Sequence, residues 1–305
     1  MGTPVRELDL LAHIRREGAR LPNWVKIKPG DDLALVADSP SNLLVGADQL
    51  IEGRHFVTGT PWELVARKAI ARNVSDVAAM AALPMATLAT VAAPKGFQQA
   101  RELFDALNAA AQRLNCPLIG GDYATQERAD VPLVISVSIL ARPRADGRVL
   151  ERKGARAGDL LVATGRLGGS LGPHGLGRHL TFQPRVAEAQ ALCDWAGARL
   201  HALIDLSDGL GIDAGRLAEA SGLQAVIDAA LLPTAEACDW KRALSDGEDY
   251  ELLAALAAPA PDDLAGTRVS VVGMLREIPA ADSRCCVVLS EGRELDASAH
   301  GWQHG

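Results

Sequence analysis

The sequence predicts an α/β (α+β) protein with mixed sheets, divided into two domains. Three observations carry this expectation. Apolar runs of strand length interleave with amphipathic runs of helix length in both halves of the chain. The 305 residues exceed the ~100–200 that one ordinary domain holds. A Pro/Arg/Gly-rich stretch at 142–158 marks the boundary, placing one domain at 1–142 and another at 143–305.

Taken in order, Leu8, Leu11 and Ile14 lie at helical spacing and predict a helix over 7–17. Gly30-Asp31-Asp32 reads as a turn before strands over 33–37 and 43–47, which Ser39-Pro40-Ser41-Asn42 joins. The longest uncharged stretch, 77–94, is interrupted by Pro84 and falls short of the ~20 apolar residues of a membrane span. It reads as the end of a buried helix (62–80) running into a buried strand (85–92). An amphipathic helix over 97–114, a short strand over 117–121 and an alternating strand over 131–141 follow. Beyond the boundary come a strand at 160–164, a glycine-rich segment at 165–177, a helix at 186–195 and a strand at 202–205. A helix over 213–221, a strand over 225–228, a helix over 251–257 and a strand over 269–274 complete the reading.

Composition narrows the function. Lys and Arg number 31 against 38 Asp and Glu, a net charge of −7 without basic runs, which points away from nucleic acid. Aromatics at 4% leave little to stack on bases. The first twenty residues carry charges throughout and lack an apolar signal core. Five cysteines show neither CxxC nor zinc-type spacing. The expectation is a cytoplasmic protein with reduced thiols and no membrane partner.

Familiar phosphate motifs are missing. There is no Gly-Lys dipeptide, no His-Arg-Asp and no His-Glu-x-x-His, and 165–177 never satisfies G-x-G-x-x-G. What recurs is Asp beside Gly or Ser at strand and helix ends: Gly30-Asp31-Asp32, Gly46-Ala47-Asp48, Ser75-Asp76, Gly120-Gly121-Asp122 and Asp205-Leu206-Ser207-Asp208-Gly209. Singly, each is what a turn or helix cap wants. Together, carboxylates at strand ends can converge on one crevice. Such a cluster calls for cations, and hard oxygen donors favour Mg²⁺ shared with a nucleoside triphosphate.

These residues, with Glu52-Gly53-Arg54-His55-Phe56, Asn73-Val74-Ser75-Asp76-Val77-Ala78-Ala79-Met80, Gly247-Glu248-Asp249-Tyr250-Glu251-Leu252 and the closing Gly301-Trp302-Gln303-His304, resemble the thiamine-monophosphate kinase family. The resemblance runs from about residue 30 to the end. It implies the two-domain aminoimidazole ribonucleotide synthetase-like fold, with N-terminal domains pairing into a dimeric barrel. It implies transfer of the γ-phosphoryl of ATP to thiamine monophosphate, with several Mg²⁺ ions. By similarity, Asp32, Asp48, Asp76, Asp122, Asp205 and Asp208 would ligate metal. Gly121, Asp122, Arg152 and Ser207 would contact ATP, and His55, Glu248 and Trp302 would face the acceptor. Without the resemblance, His55 reads equally as a structural histidine, Glu248 as a surface turn, Arg152 as a linker charge and Trp302 as part of a tail.

The pattern departs from the family at Gly46-Ala47, where hydroxyl residues are usual, and at Tyr123, where Thr is common. Two alternatives stay open here: a divergent nucleotide- or thiamine-phosphate-binding protein with little turnover, and a related ATP-dependent enzyme with another acceptor. The chemistry needs no general base, because a phosphate oxygen with a second pKa near ~6 is already largely deprotonated. Bringing two polyanions together is the task, and positioning with charge neutralisation accomplishes it.

Overall fold

The structure is a computed structural model and describes residues 25–27, 31–38, 41–280 and 282–297. The helix expected over 7–17 and the acceptor residue Trp302 lie outside the described residues.

The first half builds one sheet and two helices. Its elements are β1 (Val25–Ile27), β2 (Ala34–Asp38), β3 (Ser41–Ile51), α1 (Trp62–Ala79), β4 (Leu83–Ala93), α2 (Ala100–Arg113), β5 (Leu118–Thr125) and β6 (Val134–Arg142). The strands run in the order β1-β2-β3-β6-β4-β5. Every neighbour is antiparallel except β4 and β5, which are parallel because α2 carries the chain back between them. Alternation in β6 sends Ile135, Val137, Ile139 and Ala141 into the core, where Val65, Ile70 and Val74 of α1 and Leu103 and Leu107 of α2 meet them.

The second half is β7 (Leu160–Thr164), α3 (Val186–Ala196), β8 (Leu200–Asp205), α4 (Leu210–Ala220), β9 (Gln224–Asp228), α5 (Trp240–Ser245), β10 (Leu252–Leu256), β11 (Asp263–Leu264), β12 (Thr267–Arg276), β13 (Cys286–Ser290) and β14 (Arg293–Asp296). Its sheet runs β14-β13-β9-β12-β7-β10-β8, with β11 paired to β12. One face packs on α4 and α5 through Leu210, Leu217 and Leu244. The other packs on α3, and on Ala78 and Ala79 at the end of α1. Helix α1 is therefore buried against both sheets, which accounts for its small Ala-rich surface and its weak apolar–polar asymmetry.

One expected element has the wrong type. Residues 251–257 were expected to be helical on their Leu/Ala content, yet Leu252–Leu256 is strand β10, fully buried between β7 and β8. A continuous apolar run of five residues fits a doubly covered central strand, and tertiary packing overrides the helical propensity of Leu and Ala. The glycine-ended strand at 117–121 continues to Thr125 as β5, and the helix expected at 213 begins at Leu210.

Candidate active site

Three carboxylates from three elements meet where the halves join. Asp32 precedes β2, Asp76 lies in the last turns of α1, and Asp205 ends β8. One oxygen of each lies within 4.8 Å of the others, the single such group of potential metal ligands among the described residues. Ser75 Oγ donates to Asp205 Oδ2 at 2.6 Å. Arg152, in the segment between the sheets, grips Asp32 through Nε (3.0 Å) and Nη2 (2.5 Å). Its backbone N–H also donates to Asp31 Oδ2 at 3.2 Å. This bidentate fork fixes the carboxylate plane of Asp32 and ties the linker to the first sheet.

Burial and crowding oppose ionisation of the cluster. Burial, then Asp48, Asp205 and Asp32, push the Asp76 carboxyl well above the usual carboxylate range. Burial and Asp32 raise Asp205 to about 8, against the opposing Ser75 hydrogen bond. Burial and Asp32 likewise lift Asp31 to about 6. Groups so arranged lower their mutual repulsion by binding protons or a cation. The donors are all hard oxygens within a span near that of one octahedral ion at ~2.1 Å per ligand, so Asp32, Asp76 and Asp205 fit Mg²⁺.

Beside the cluster opens a crevice of about 470 Å³, lined in part by Arg54, His55, Arg72, Ser207, Glu248 and Tyr250. Glu248 enters it from a strained turn: Glu248 and Tyr250 take φ of 53° and 51°, a region non-glycine residues seldom occupy. The backbone is held there by Glu248 N–H to Ser207 O (2.7 Å) and Tyr250 N–H to Leu206 O (2.8 Å). The Glu248 carboxylate meets Lys68 Nζ at 2.6 Å and His179 Nδ1 at 3.3 Å. Burial works against the Glu248 charge, but the His179 hydrogen bond and Lys68 prevail and hold its pKa at about 2. Tyr250 stacks on Phe182 with ring centroids 3.9 Å apart.

The intervening residues of this turn anchor the glycine-rich segment. Asp249 accepts from the backbone N–H of Gly168 (2.9 Å), from Ser170 Oγ (2.5 Å) and from Arg178 (2.8 Å). Glu251 is forked by Arg185 at 2.7 Å through both Nε and Nη2, and accepts from Thr164 Oγ1. Residues 165–177 thus form a loop pinned at Gly168 and Ser170 by the buried Asp249, while Glu251 ties Thr164 of β7 to Arg185.

Comparison with known proteins places this chain in a family. Residues 30–142 match the family model described as AIR synthase related protein, N-terminal domain. The chain is similar to thiamine-monophosphate kinase of Rhodopirellula baltica, 36% identical over 82% of each chain. It is also similar to that of Mycobacterium tuberculosis strain H37Rv, 34% identical over 94% of this chain and 88% of the other. The chain belongs to the thiamine-monophosphate kinase family. Among solved structures, AaThiL complexed with AMPPCP and TMP superposes with a TM-score of 0.82 at 26% identity over all of both chains. Thiamine-monophosphate kinase from Stenotrophomonas maltophilia K279a superposes at 0.69 with 27% identity, covering 93% and 96%.

Seen as a thiamine-monophosphate kinase, the expected residues divide. Asp32, Asp76 and Asp205 meet, with Asp48 and Arg152 beside them. His55, Ser207, Asp208 and Glu248 line the adjoining crevice. His55 also has a structural task, accepting from Ile51 N–H at Nδ1 (2.9 Å) and from Lys68 at its carbonyl (2.7 Å). Asp208 is already paired with Arg216 at 2.5 Å. Asp122 stands apart. The register Asp48–Val137–Ala89–Gly121 runs across β3, β6, β4 and β5, and three strand spacings amount to ~14 Å. Gly121 is there for a packing reason as well, since a Cβ on it would lie 1.8 Å from Ala89 O of β4.

Sequence reasoning missed Lys68, Arg72 and His179. The signal for two of them was present: Lys68, Arg72 and Asp76 are spaced by four on α1, so they share one face of the helix. His179 carried none, because only the path of the 165–177 loop brings it to Glu248.

Proposed function

We propose that this chain transfers the γ-phosphoryl group of ATP to the phosphate of thiamine monophosphate, giving thiamine diphosphate and ADP. The observation that carries the reading is the Asp32–Asp76–Asp205 cluster opening directly beside the crevice of His55, Ser207 and Glu248. Family membership and the likeness to AaThiL complexed with AMPPCP and TMP support it.

In this reading an acceptor phosphate oxygen attacks the γ-phosphorus in line, and the bond from that phosphorus to the β–γ bridging oxygen breaks. No side chain has to take a proton first. Asp32, Asp76 and Asp205 would hold Mg²⁺, with Asp48, Asp122 and Asp208 serving further ions; bound there, the metal supplies neutralisation of the triphosphate charge. Arg152 orients Asp32, and with Gly121, Asp122 and Ser207 contacts the nucleotide. Ser207 stands just before the N-terminus of α4, where backbone N–H groups favour an anion. Glu248, kept ionised by Lys68 and His179, faces the cationic part of the acceptor together with His55 and Trp302.

The domains in this proposal are 1–142, for nucleotide, metal and pairing, and 143–305, which completes the site. A homodimer through the first sheet is supported by Met85, Leu88, Ile119 and Tyr123, large apolar residues exposed on β4 and β5, with Phe104 of α2 beside them. Among the described residues, strand β5 ends its sheet with one edge open. Five free thiols suit a cytoplasmic setting. Among the described residues no helix is long and apolar enough to cross a membrane.

Phosphorus-31 NMR of the purified protein with ATP, Mg²⁺ and thiamine monophosphate tests the reading. Acceptor-dependent appearance of thiamine diphosphate and ADP is expected. Binding of both substrates without product would favour the binding-protein alternative, and ATP loss without thiamine diphosphate would favour another acceptor.

A further inference from the structure

Arg72 is a buried guanidinium in an acidic setting, with its side chain 14% exposed. Its Nε lies 3.1 Å from Asp48 Oδ2, and Nη1 donates to the Gln49 carbonyl at 2.9 Å. That second bond belongs to β3 backbone and fixes where the fork points. Nε nevertheless has no aligned hydrogen-bond acceptor, so Asp48 neutralises the charge without using that donor. The carboxylates acting on Arg72 are Asp48, Glu248 and Asp76, which places it between the metal-type cluster and the Glu248 end of the crevice.

An acceptor phosphate entering this crevice meets Asp208 and Glu248 on its walls, and Asp48 and Asp76 just beyond. Two cations line the same walls, Arg54 and Arg72. Arg54 is exposed at the rim, where solvent screens its charge. Lys68, one turn before Arg72, is spent on Glu248 and the His55 carbonyl. Arg72 is the buried cation with N–H donors left over, and a guanidinium is the group whose planar fork matches phosphate oxygens.

We propose that Arg72 binds the phosphate of the acceptor, offering it the donors that Asp48 and Gln49 leave unused and holding it against the carboxylate cluster. This deepens the kinase reading and rests on it. A consequence is that the crevice discriminates phosphorylated from unphosphorylated acceptor through one side chain of α1.

The test is isothermal titration calorimetry of thiamine monophosphate and of thiamine, each into metal-free protein, for wild type, Arg72→Gln and Arg72→Lys. The expected result is a ~10–100-fold loss of thiamine monophosphate affinity in Arg72→Gln, the range for a charged hydrogen bond. Thiamine binding should be unchanged, and Arg72→Lys should keep part of the affinity. A structural role would weaken both ligands together, and that outcome overturns the proposal. So does an Arg72→Gln variant that binds thiamine monophosphate as wild type does. If wild type shows turnover by NMR in either of those cases, only this inference falls; wild type that binds no thiamine monophosphate even with Mg²⁺ present, and shows no turnover by NMR, removes the acceptor reading and this inference with it.

Discussion

Lys68 shows how one residue commits the site. Its ammonium is fully buried in α1, and burial, only partly offset by Glu248, lowers its pKa to about 8. It remains mainly charged at neutral pH and holds Glu248 across the gap between the two sheets, while its bond to the His55 carbonyl fixes the neighbouring turn. Removing one member of a buried pair strands the other, at a cost of ~3–5 kcal/mol. Lys68→Met is therefore expected to lower stability by about that amount in denaturant unfolding and to raise the KM for the acceptor more than that for ATP. Equal effects on both substrates would argue that Lys68 acts on folding alone. Glu248 looked like an ordinary turn residue in the sequence. Its role depends on φ = 53° and on a histidine 69 positions away in the chain, neither of which composition or spacing reveals.

At the scale of elements, strand β3 carries the departure at Gly46-Ala47. The two positions differ physically. A Cβ built on Gly46 would lie 2.2 Å from Leu33 Cδ2, and Leu33 is itself buried. Ala47, on the opposite face, is exposed. Overpacking a filled core costs ~1–3 kcal/mol, while an exposed strand position tolerates change within ~0.5 kcal/mol. Gly46→Thr should thus destabilise by ~1–3 kcal/mol and Ala47→Thr should leave the melting temperature nearly unchanged. Chemical denaturation of the two variants checks this, and similar losses in both would mean that Leu33 does not set the limit. Beyond β3, the periodic elements were legible because each keeps one face against a sheet: β6 alternates, and α2 is strongly amphipathic. Strand β10 was not, since burial on both faces erases the period that distinguishes strand from helix.

For the whole molecule, the carboxylate cluster sets a pH dependence. Asp205 has its pKa raised to about 8 by burial and by Asp32, against ~3.9 in an unfolded chain. Between these values the folded state binds a proton that the unfolded state lacks. The contribution of this group to stability is then full below about pH 4 and is lost as the pH rises through about 8. Asp31, raised to about 6 by burial and Asp32, adds a loss at lower pH. Metal-free protein is therefore expected to melt at a lower temperature at pH 8.5 than at pH 6. Added Mg²⁺ should raise the melting temperature more at pH 8.5, where it no longer competes with protons. Differential scanning calorimetry reads this directly, and an equal Mg²⁺ effect at both pH values would separate the cluster from ion binding.

The sequence by itself determined the interleaving of strands and helices, the acidic character of the site and the family to which its motifs point. Those properties are local: they reside in hydrophobic period, in turn residues and in short runs such as Asn73–Met80. Only the tertiary structure decided which carboxylates meet. Asp32, Asp76 and Asp205 are far apart in the chain and converge because α1 is sandwiched between two sheets. Asp122, equally prominent as a motif, is carried three strands away by the register of β3, β6, β4 and β5. The buried cations of α1, Lys68 and Arg72, owe their roles to burial, which strengthens the interaction of each charge with its neighbours and cannot be read from residue type.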